Sequence, residues 1–216
     1  MSDRSRPLVA VLDYGIGNLR SAQKGFERVG ADARLTADHG LIADAAAVVL
    51  PGVGHFGTCM RELRAAGLED ATLSAVASGR PFLGICVGMQ MLFEGSAEAP
   101  EVSGLGVFPG RSVMIPAGLP RPQMQWNRLD VLRPSALLAG LGDDAWMYFV
   151  HSFSAETDDE FVVATCDYVS DLTAMVDRDG TVWATQFHPE KSGNRGRQFA
   201  TNFMAEVERS LDNSRR

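Results

Sequence analysis

The sequence predicts an α/β fold, with a central, mostly parallel sheet, flanking helices and added antiparallel strands in the second half. Two patterns predict it. In the first half of the chain, short continuous apolar runs alternate with helical segments, as in βαβ units whose strands are buried on both faces. After Glu94, Gly and Pro become frequent, and β-like segments follow one another without helices between them.

Three strand–helix units are expected in the first half. The strands are predicted at residues 8–12, 48–50 and 81–83, and the helices at about 19–29, 56–77 and 89–94. Glycine-containing segments follow the strands. Because ligands of parallel sheets bind outside the carboxyl ends of the strands, we expect the functional site at that edge.

The second half is predicted to contain short strands and one long helix. The strands are expected at residues 107–115, 128–132, 146–150, 161–165, 173–176 and 182–187, with a hairpin turn at Asp179-Gly180 and a final helix at about 194–211. No repeat or long linker divides the chain. We therefore predict a single domain over residues 1–216, with its core at about 8–211.

Composition narrows the functional classes. The 216 residues are 45% apolar and carry a formal net charge of −7, which disfavours nucleic-acid binding because phosphates need a basic face. The apolar N-terminal segment is too short for a signal core or a membrane span, so we expect a soluble, cytoplasmic protein. Three widely spaced cysteines indicate free thiols rather than disulfides or a zinc site.

Cys86 is the candidate nucleophile. It is the central residue of Gly-Ile-Cys-Val-Gly at residues 84–88, between an apolar strand and a helical stretch. This is the pattern of a nucleophile elbow, whose glycines permit a strained turn and the close approach of strand, helix and substrate. The start of the helix favours the thiolate over the thiol.

His188 is the candidate proton shuttle, and Glu190 is the carboxylate that could orient it. Both belong to Gln-Phe-His-Pro-Glu at residues 186–190, after a β-like run. Their order along the chain is allowed, because triads are defined by geometry. Taken singly, Cys86 could be a buried inert thiol, His188 a structural turn residue and Glu190 a surface carboxylate. Their joint occurrence favours catalysis.

Two glycine-rich loops are candidate binding sites. The Gly-x-Gly at residues 15–17 lacks the third glycine of a dinucleotide-binding loop, so we reject that interpretation. The Pro-Gly-Val-Gly loop at residues 51–54 can turn the N–H groups of Val53 and Gly54 towards an oxyanion, complementing the N–H of Val87. A plain tight turn is the alternative.

The motifs together resemble the class I, triad-type glutamine amidotransferases. Further segments resemble one family among them, the glutaminase subunits of imidazole glycerol phosphate synthase. These segments are residues 13–19 (Asp-Tyr-Gly-Ile-Gly-Asn-Leu), 51–54, 148–153 (Tyr-Phe-Val-His-Ser-Phe) and 191–193 (Lys-Ser-Gly). The resemblance extends over about residues 9–203.

The resemblance implies that Cys86 attacks the side-chain amide of L-glutamine, that His188 moves the proton to the leaving ammonia and that Glu190 holds His188. Water then hydrolyses the glutamyl thioester to glutamate, with neither a cofactor nor a metal. The implied oxyanion and substrate contacts are Val53, Gly54, Val87, Gly52, Gln90, Glu98, His151, Ser152 and Phe153. The alternatives are a helix-face residue without a ligand at Gln90 and a hydrogen-bonded structural histidine at His151.

The implied partner is a cyclase subunit of the (βα)8-barrel type in a heterodimer. It uses the ammonia to form imidazole glycerol phosphate and aminoimidazole carboxamide ribotide in L-histidine biosynthesis. The implied interface and gate residues are Asn18, Trp126, Tyr148 and Lys191, for which a solvated rim with one buried aromatic is the alternative.

One segment departs from the family pattern. The family usually reads Pro-His-Met-Gly-Trp-Asn where residues 122–127 read Pro-Gln-Met-Gln-Trp-Asn. If this segment faces the partner, Gln123 and Gln125 are expected to alter docking, gating or the partner's identity.

Three other functions stay open at this point. The first is an amidotransferase subunit of a different synthase, against which residues 13–19 and 148–153 argue. The second is a non-enzymatic regulator on the same fold, which would lose the site. The third is a γ-glutamyl peptidase that acts without a partner and accepts substituted amides.

Overall fold

The computed structural model describes residues 6–142 and 144–215. The strands, numbered along the chain, are β1 (Leu8–Leu12), β2 (Asp32–Thr36), β3 (Ala47–Gly52), β4 (Phe82–Cys86), β5 (Gly95–Ser96), β6 (Arg111–Met114), β7 (Gln123–Arg128), β8 (Asp130–Val131), β9 (Trp146–His151), β10 (Phe153–Glu156), β11 (Val162–Asp167), β12 (Asp171–Arg178) and β13 (Val182–Thr185). The helices are α1 (Leu19–Glu27), α2 (His39–Asp44), α3 (Phe56–Ala65), α4 (Glu69–Ala77), α5 (Val87–Met91) and α6 (Gly193–Ser214). Short 3-10 turns lie at Ala136–Leu138 and Pro189–Lys191.

An eight-stranded sheet has the strand order β2-β1-β3-β4-β13-β12-β11-β8. The pairs from β2 to β13 are parallel, and the pairs from β13 to β8 are antiparallel. Every residue of β3 and β4 is buried, as the continuous apolar runs predict for central parallel strands. Two small sheets, β10-β6-β5 and β7-β9, complete the β-structure. The predicted fold class is confirmed.

Strand β13 is the long-range element that assembles the site. It belongs to the second half of the chain but pairs in parallel with β4, with Thr185 opposite Ile85. The residues that follow β13 therefore emerge at the same edge of the sheet as Cys86, the last residue of β4. The four residues of β13 are all buried, which agrees with their apolar and β-branched composition.

The predicted hairpin between β12 and β13 is confirmed. The two strands pair antiparallel, with Arg178 opposite Val182. Asp179 and Gly180 both have positive φ angles, of 58° and 64°. These are the angles that a type I′ turn requires, and Asp-Gly is among the sequences that adopt them most readily.

The predicted helix at residues 56–77 is two helices, α3 and α4. Gly67 has a φ of +70° and ends α3 in a Schellman motif. Its N–H donates to the Arg64 carbonyl at 2.9 Å, and the N–H of Leu68 donates to the Leu63 carbonyl at 3.0 Å. A single glycine in a helical pattern thus marks a complete break, because the left-handed conformation cannot continue the helix.

Other boundaries also differ from the predictions. The predicted strand at residues 128–132 is the end of β7 followed by the short β8. The apolar pattern predicts neither α2 nor the edge strand β2, in which Asp32 and Arg34 form a surface ion pair. Edge strands carry charged residues that prevent further pairing, so they lack the continuous apolar run of a central strand.

Helices α1 and α6 pack together through aromatic side chains. The ring centroids of Phe26 and Phe203 lie 5.5 Å apart, and Trp183 of β13 meets Phe203 edge-on at 6.1 Å. This packing ties α6, which follows the His188 segment, to the sheet. Within residues 6–142 and 144–215, no helix combines the length and apolar composition that crossing a membrane requires.

Candidate active site

Cys86 lies at the sharp turn between β4 and α5. Its backbone has φ 57° and ψ −114°, a conformation that residues with side chains rarely adopt. The strain sets the thiol at the end of the strand and directly before the first turn of α5. The first backbone N–H groups of such a turn have no partner within the helix.

The glycines around Cys86 are required by close backbone contacts. A Cβ atom at Gly88 would overlap the Leu50 carbonyl oxygen, and one at Gly52 would lie 2.6 Å from the N atom of Gly88. At Gly84, a Cβ would meet the Leu92 side chain at 2.9 Å. Gly52 pairs with Cys86 across β3 and β4. The structure thus places Gly52, predicted as a substrate contact, against the backbone of the elbow.

His188 and Glu190 follow β13 and contact each other. The Nδ1 atom of His188 lies 2.8 Å from Oε1 of Glu190, and both side chains are almost fully buried. The backbone of His188 is held as well, because its N–H donates to the Tyr148 carbonyl at 3.0 Å and its carbonyl accepts from the Ser192 hydroxyl at 2.6 Å. These hydrogen bonds fix both the backbone and the imidazole ring of His188.

The other ring nitrogen of His188, Nε2, is buried and has no hydrogen-bond partner among the residues that the structure describes. Because Nδ1–H donates to Glu190, Nε2 of the neutral ring carries the lone pair. Burial lowers the pKa of His188, but Cys86 and Glu190 together outweigh it and raise the pKa to about 10. The ring is suited to accept and hold a proton.

Two buried donors hold the loop at residues 51–54. The Tyr14 hydroxyl donates to the Pro51 carbonyl at 2.6 Å, and the Cys59 thiol donates to the Val53 carbonyl at 3.3 Å. Burial raises the pKa of Tyr14 far above its ordinary value and that of Cys59 to about 11, so both stay protonated at neutral pH. The apolar sequence pattern gives no sign of either contact, and the partners of the Tyr14 contact are 37 residues apart in the chain.

A cavity of about 420 Å³ brings most of the predicted site residues together. Its volume suits a ligand of amino-acid size. Two lining residues, Pro122 and Val150, are not among the predicted ones. The predicted residues that line it are Asn18, Val53, Gly54, Cys86, Val87, Gln90, Glu98, His151, Ser152, Phe153, His188 and Lys191.

Glu98 and Gln90 both form hydrogen bonds with other protein groups. Oε2 of Glu98 accepts a hydrogen bond from the N–H of Phe56 at 2.6 Å, at the start of α3. Nε2 of Gln90 donates to the Phe153 carbonyl at 3.0 Å and to Oε1 of Gln186 at 2.9 Å. These bonds leave Oε1 of Gln90 and the second carboxylate oxygen of Glu98 as candidate ligand contacts.

The ring of His151 has protein partners at both nitrogens. Nδ1 lies 2.8 Å from the Phe153 carbonyl and Nε2 lies 2.7 Å from the Gln123 side-chain amide. Burial lowers the pKa of His151 to about 4, so the ring is neutral and its single proton is on Nδ1, facing the carbonyl. The structure places Oε1 of Gln123 beside Nε2, so this contact becomes a hydrogen bond when the Gln123 amide is turned to present its NH2 group. This geometry favours the structural alternative for the His151 ring.

Gln123 is fully buried, and this corrects the expectation that it could face a partner. Its amide lies between His151 and Cys166, 3.8 Å from the Cys166 sulfur. Gln123 is covered because it lies at the start of β7, opposite the buried His151 of β9. Gln125, by contrast, is exposed, as are its neighbours Met124 and Trp126.

The predicted interface residues form an aromatic group at the rim of the cavity. Trp126 is half exposed and meets Tyr148 edge-on, with ring centroids 6.1 Å apart. The Tyr148 ring lies 6.5 Å from the His188 ring, and Nζ of Lys191 lies 5.8 Å from the centre of the Tyr148 ring. Asn18, at the start of α1, accepts from the Ser21 hydroxyl at 2.7 Å.

Gln186 begins the motif that contains His188 and Glu190, but it is not among the predicted site residues. It is fully buried, and its Nε2 atom lies 3.7 Å from the Cys86 sulfur. A polar residue at the end of the apolar run of β13 is the signal that could have identified it, because buried polar groups need a partner.

Known proteins resemble this chain over nearly its whole length. The family model for glutamine amidotransferase class-I matches residues 10–207. The imidazole glycerol phosphate synthase subunit HisH of Methanothermobacter thermautotrophicus is 46% identical over 197 residues, covering 91% of this chain and 98% of that protein. The subunit of the same name from Geobacter metallireducens is 48% identical over 203 residues, covering 90% and 96%.

Solved structures share the fold at lower identity. The crystal structure of a glutamine amidotransferase superposes with a TM-score of 0.71 at 24% identity, covering 93% of this chain and 98% of that chain. PurLQS from Thermotoga maritima gives 0.69 at 19% identity, covering 95% of this chain and 99% of that chain. These likenesses concern the fold alone. With the elbow, the paired His188 and Glu190 and the near full-length sequence matches, the chain belongs to the class I glutamine amidotransferases, in the family of imidazole glycerol phosphate synthase HisH subunits.

Proposed function

We propose that Cys86, His188 and Glu190 are the triad with which this glutaminase subunit of imidazole glycerol phosphate synthase hydrolyses L-glutamine. One observation carries the proposal. His188 is fixed by Glu190 at 2.8 Å through Nδ1, while its buried Nε2, unpartnered among the described residues, belongs to a ring that lines the same cavity as Cys86. A nucleophile, a base and a group that orients the base are the elements of a triad.

The geometry supports a two-step acyl transfer. His188 accepts the Cys86 proton at Nε2, and the sulfur attacks the side-chain amide carbon of glutamine. The tetrahedral intermediate collapses when the imidazolium returns the proton to the leaving nitrogen, which departs as ammonia. His188 then takes a proton from water, which attacks the thioester and releases glutamate and the free thiol.

The intermediate carries a negative oxygen that needs donors. The N–H of Val87, directly after the nucleophile, and those of Val53 and Gly54 are the proposed ones, since all three residues line the cavity. We propose that Glu98 contacts the ammonium group of the substrate, because its carboxylate carries the opposite charge. Gln90, Ser152 and Phe153 are the remaining proposed contacts.

The proposed partner is a cyclase subunit of the (βα)8-barrel type that receives the ammonia. The relatives are named as subunits of a synthase, and the rim formed by Trp126, Tyr148 and Lys191 presents apolar surface beside the cavity. A closed rim would keep ammonia from bulk water, where it would be captured as ammonium. Gln125 is the exposed departure in this segment and is proposed to modify the contact.

Glutamate production tests the function. The purified chain is assayed with glutamine alone, then with the cyclase subunit from the same organism, then with that subunit plus its nucleotide ligand. Strong activation by both additions is expected. Equal activity in all samples would indicate a self-sufficient amidase, and no activity in any would indicate a different synthase or a regulator.

Replacement of Cys86 tests the triad. Cys86→Ala is expected to lower glutamate production by roughly 10³-fold or more, because it removes the sulfur that forms the thioester. Binding of the cyclase subunit, measured by calorimetry, should be retained. Cys166→Ala, which replaces another buried thiol, is the matched control and should keep its activity. Normal activity of Cys86→Ala would contradict the assignment.

A further inference from the structure

A chain of hydrogen bonds ends on the candidate nucleophile. It starts at the Phe153 carbonyl, which accepts from Nε2 of Gln90 at 3.0 Å. The same Nε2 donates to Oε1 of Gln186 at 2.9 Å, and Nε2 of Gln186 lies 3.7 Å from Sγ of Cys86, within range of a hydrogen bond to sulfur. The chain joins two residues, Gln186 and Cys86, that are 100 positions apart.

The orientation of each amide in this chain follows from its first member. A backbone carbonyl can only accept, so the Gln90 group that faces Phe153 must be NH2. That NH2 also faces Gln186, so the Gln186 atom beside it must be oxygen. The remaining end of the Gln186 amide, its NH2 group, therefore faces Cys86. A flipped Gln186 would set two NH2 groups against each other and lose both bonds.

The buried environment strengthens the hydrogen bond from the Gln186 amide to Cys86. Gln90 and Gln186 are both buried, and hydrogen bonds away from water are stronger than exposed ones. A side-chain amide also keeps its donor at every pH, unlike a histidine or a lysine. The ionisable side chains near the sulfur are His188 after β13, Tyr14 after β1 and Cys59 on α3, and the same cavity is lined by Glu98, His151 and Lys191.

We propose that Gln186 is a positioning residue for Cys86, whose NH2 group stabilises the thiolate and directs the sulfur within the cavity. Gln90 holds that group in the productive orientation. This inference rests on the proposed role of Cys86 as nucleophile. It adds a neutral donor beside the proton acceptor His188, and this donor stabilises the thiolate before it attacks the amide and again when it leaves the glutamyl thioester.

The first test measures the thiol directly and needs no glutamine. Cys86 is alkylated with iodoacetamide over a range of pH in the wild type, Gln186→Met and Gln186→Glu, and Cys86→Ser supplies the background from Cys59 and Cys166. Gln186→Met keeps the volume but removes the donor, and should move the midpoint of the alkylation profile up by about one pH unit. Gln186→Glu should move it further, because a carboxylate repels the thiolate.

The second test measures turnover in the complex with the cyclase subunit. Gln186→Met is expected to lower kcat for glutamate formation by roughly 10- to 100-fold, with KM changed less than about threefold, because the donor acts on the sulfur and not on the substrate. Gln198→Met, the same substitution at an exposed position of α6, is the matched control and should match the wild type in both tests.

Thermal unfolding first verifies that each variant is folded. If Gln186→Met fails to fold, Gln90→Met carries the test, since it removes the group that orients Gln186 and should shift the profile in the same direction by less. An unchanged profile and kcat in a folded Gln186→Met would overturn the inference. If the wild type produces no glutamate but its alkylation profile still differs from that of Gln186→Met as expected, the proposed function is contradicted and the inference about Gln186 is not.

Discussion

The conformation of Cys86 makes the glycines near it part of the site. A positive φ at a residue with a side chain costs about 1–2 kcal/mol. The surrounding packing must offset that cost. Gly52, Gly84 and Gly88 let β3 and α5 approach closely enough to do so. The requirement for glycine here comes mainly from contact with the backbone, since none of the three has a positive φ.

A substitution at Gly88 tests this reasoning. Gly88→Ala is expected to lower the free energy of unfolding by at least about 3 kcal/mol, because the added Cβ would overlap the Leu50 carbonyl oxygen. Urea denaturation followed by circular dichroism measures the change. Gly79→Ala is the matched control, because its surroundings are open and only its φ of +73° opposes a side chain. Equal losses in both variants would refute the steric explanation.

His151 and Gln123 have structural contacts where the motifs predict contacts with substrate or partner. His151 lines the cavity, yet both ring nitrogens contact protein groups. Gln123 supplies one of these contacts from inside the fold. The departure from the family pattern at Gln123 therefore acts through the packing of β7 on β9, whereas the departure at Gln125 is a surface change.

The ribbon formed by β7 and β9 presents exposed apolar side chains beside the cavity. Met124, Trp126 and Trp146 are exposed on it at 64%, 48% and 45%. Several large apolar side chains in one small element are typical of a surface that a partner covers. Tyr148, on the same ribbon, connects the surface to His188 through ring contacts.

Trp126 is expected to be a main contact with the cyclase subunit. Trp126→Ala should weaken binding by roughly 30-fold or more, because buried tryptophans supply much of the affinity in protein interfaces. Isothermal titration calorimetry with the cyclase subunit measures the change. Leu132→Ala removes another exposed apolar side chain, which lies outside the ribbon, and should bind normally. The assignment of this surface fails if both variants bind alike.

For the molecule as a whole, two buried histidines predict opposite responses to pH. Burial lowers the pKa of His151 to about 4, from 6.5 in the unfolded chain. Between these values the unfolded chain binds a proton that the folded protein does not, so stability falls as the pH falls, by at most about 3 kcal/mol. The raised pKa of His188 works in the other direction. Its contribution is present below about pH 6.5 and is lost as the pH rises towards 10.

Stability is therefore expected to be highest near pH 6.5. Urea unfolding of the wild type, His151→Gln and His188→Gln at pH 4.5, 6.5 and 8.5 measures both effects. His151→Gln should reduce the loss on the acid side, and His188→Gln should reduce the loss on the alkaline side. A wild-type profile that each variant reproduces unchanged would show that neither histidine is linked to folding.

Much of the fold could be predicted because local patterns encode it. The apolar runs of β1, β3 and β4 mark buried parallel strands, and Asp179-Gly180 marks a hairpin by its preference for positive φ. The elbow around Cys86 and the His188 segment are motifs in which the chemistry and the backbone need particular residues at fixed spacing. The edge strand β2 and the break between α3 and α4 lack such strong signals.

The relations between distant segments required the folded chain. Periodicity shows that β4 and β13 are strands, but their pairing depends on packing over many residues, and it brings His188 to Cys86. The same holds for the donor from Gln186 to Cys86, the contact of Tyr14 with the loop at residues 51–54, and the burial of Gln123. A hydrogen bond depends on position and angle in space, and residue type alone specifies neither.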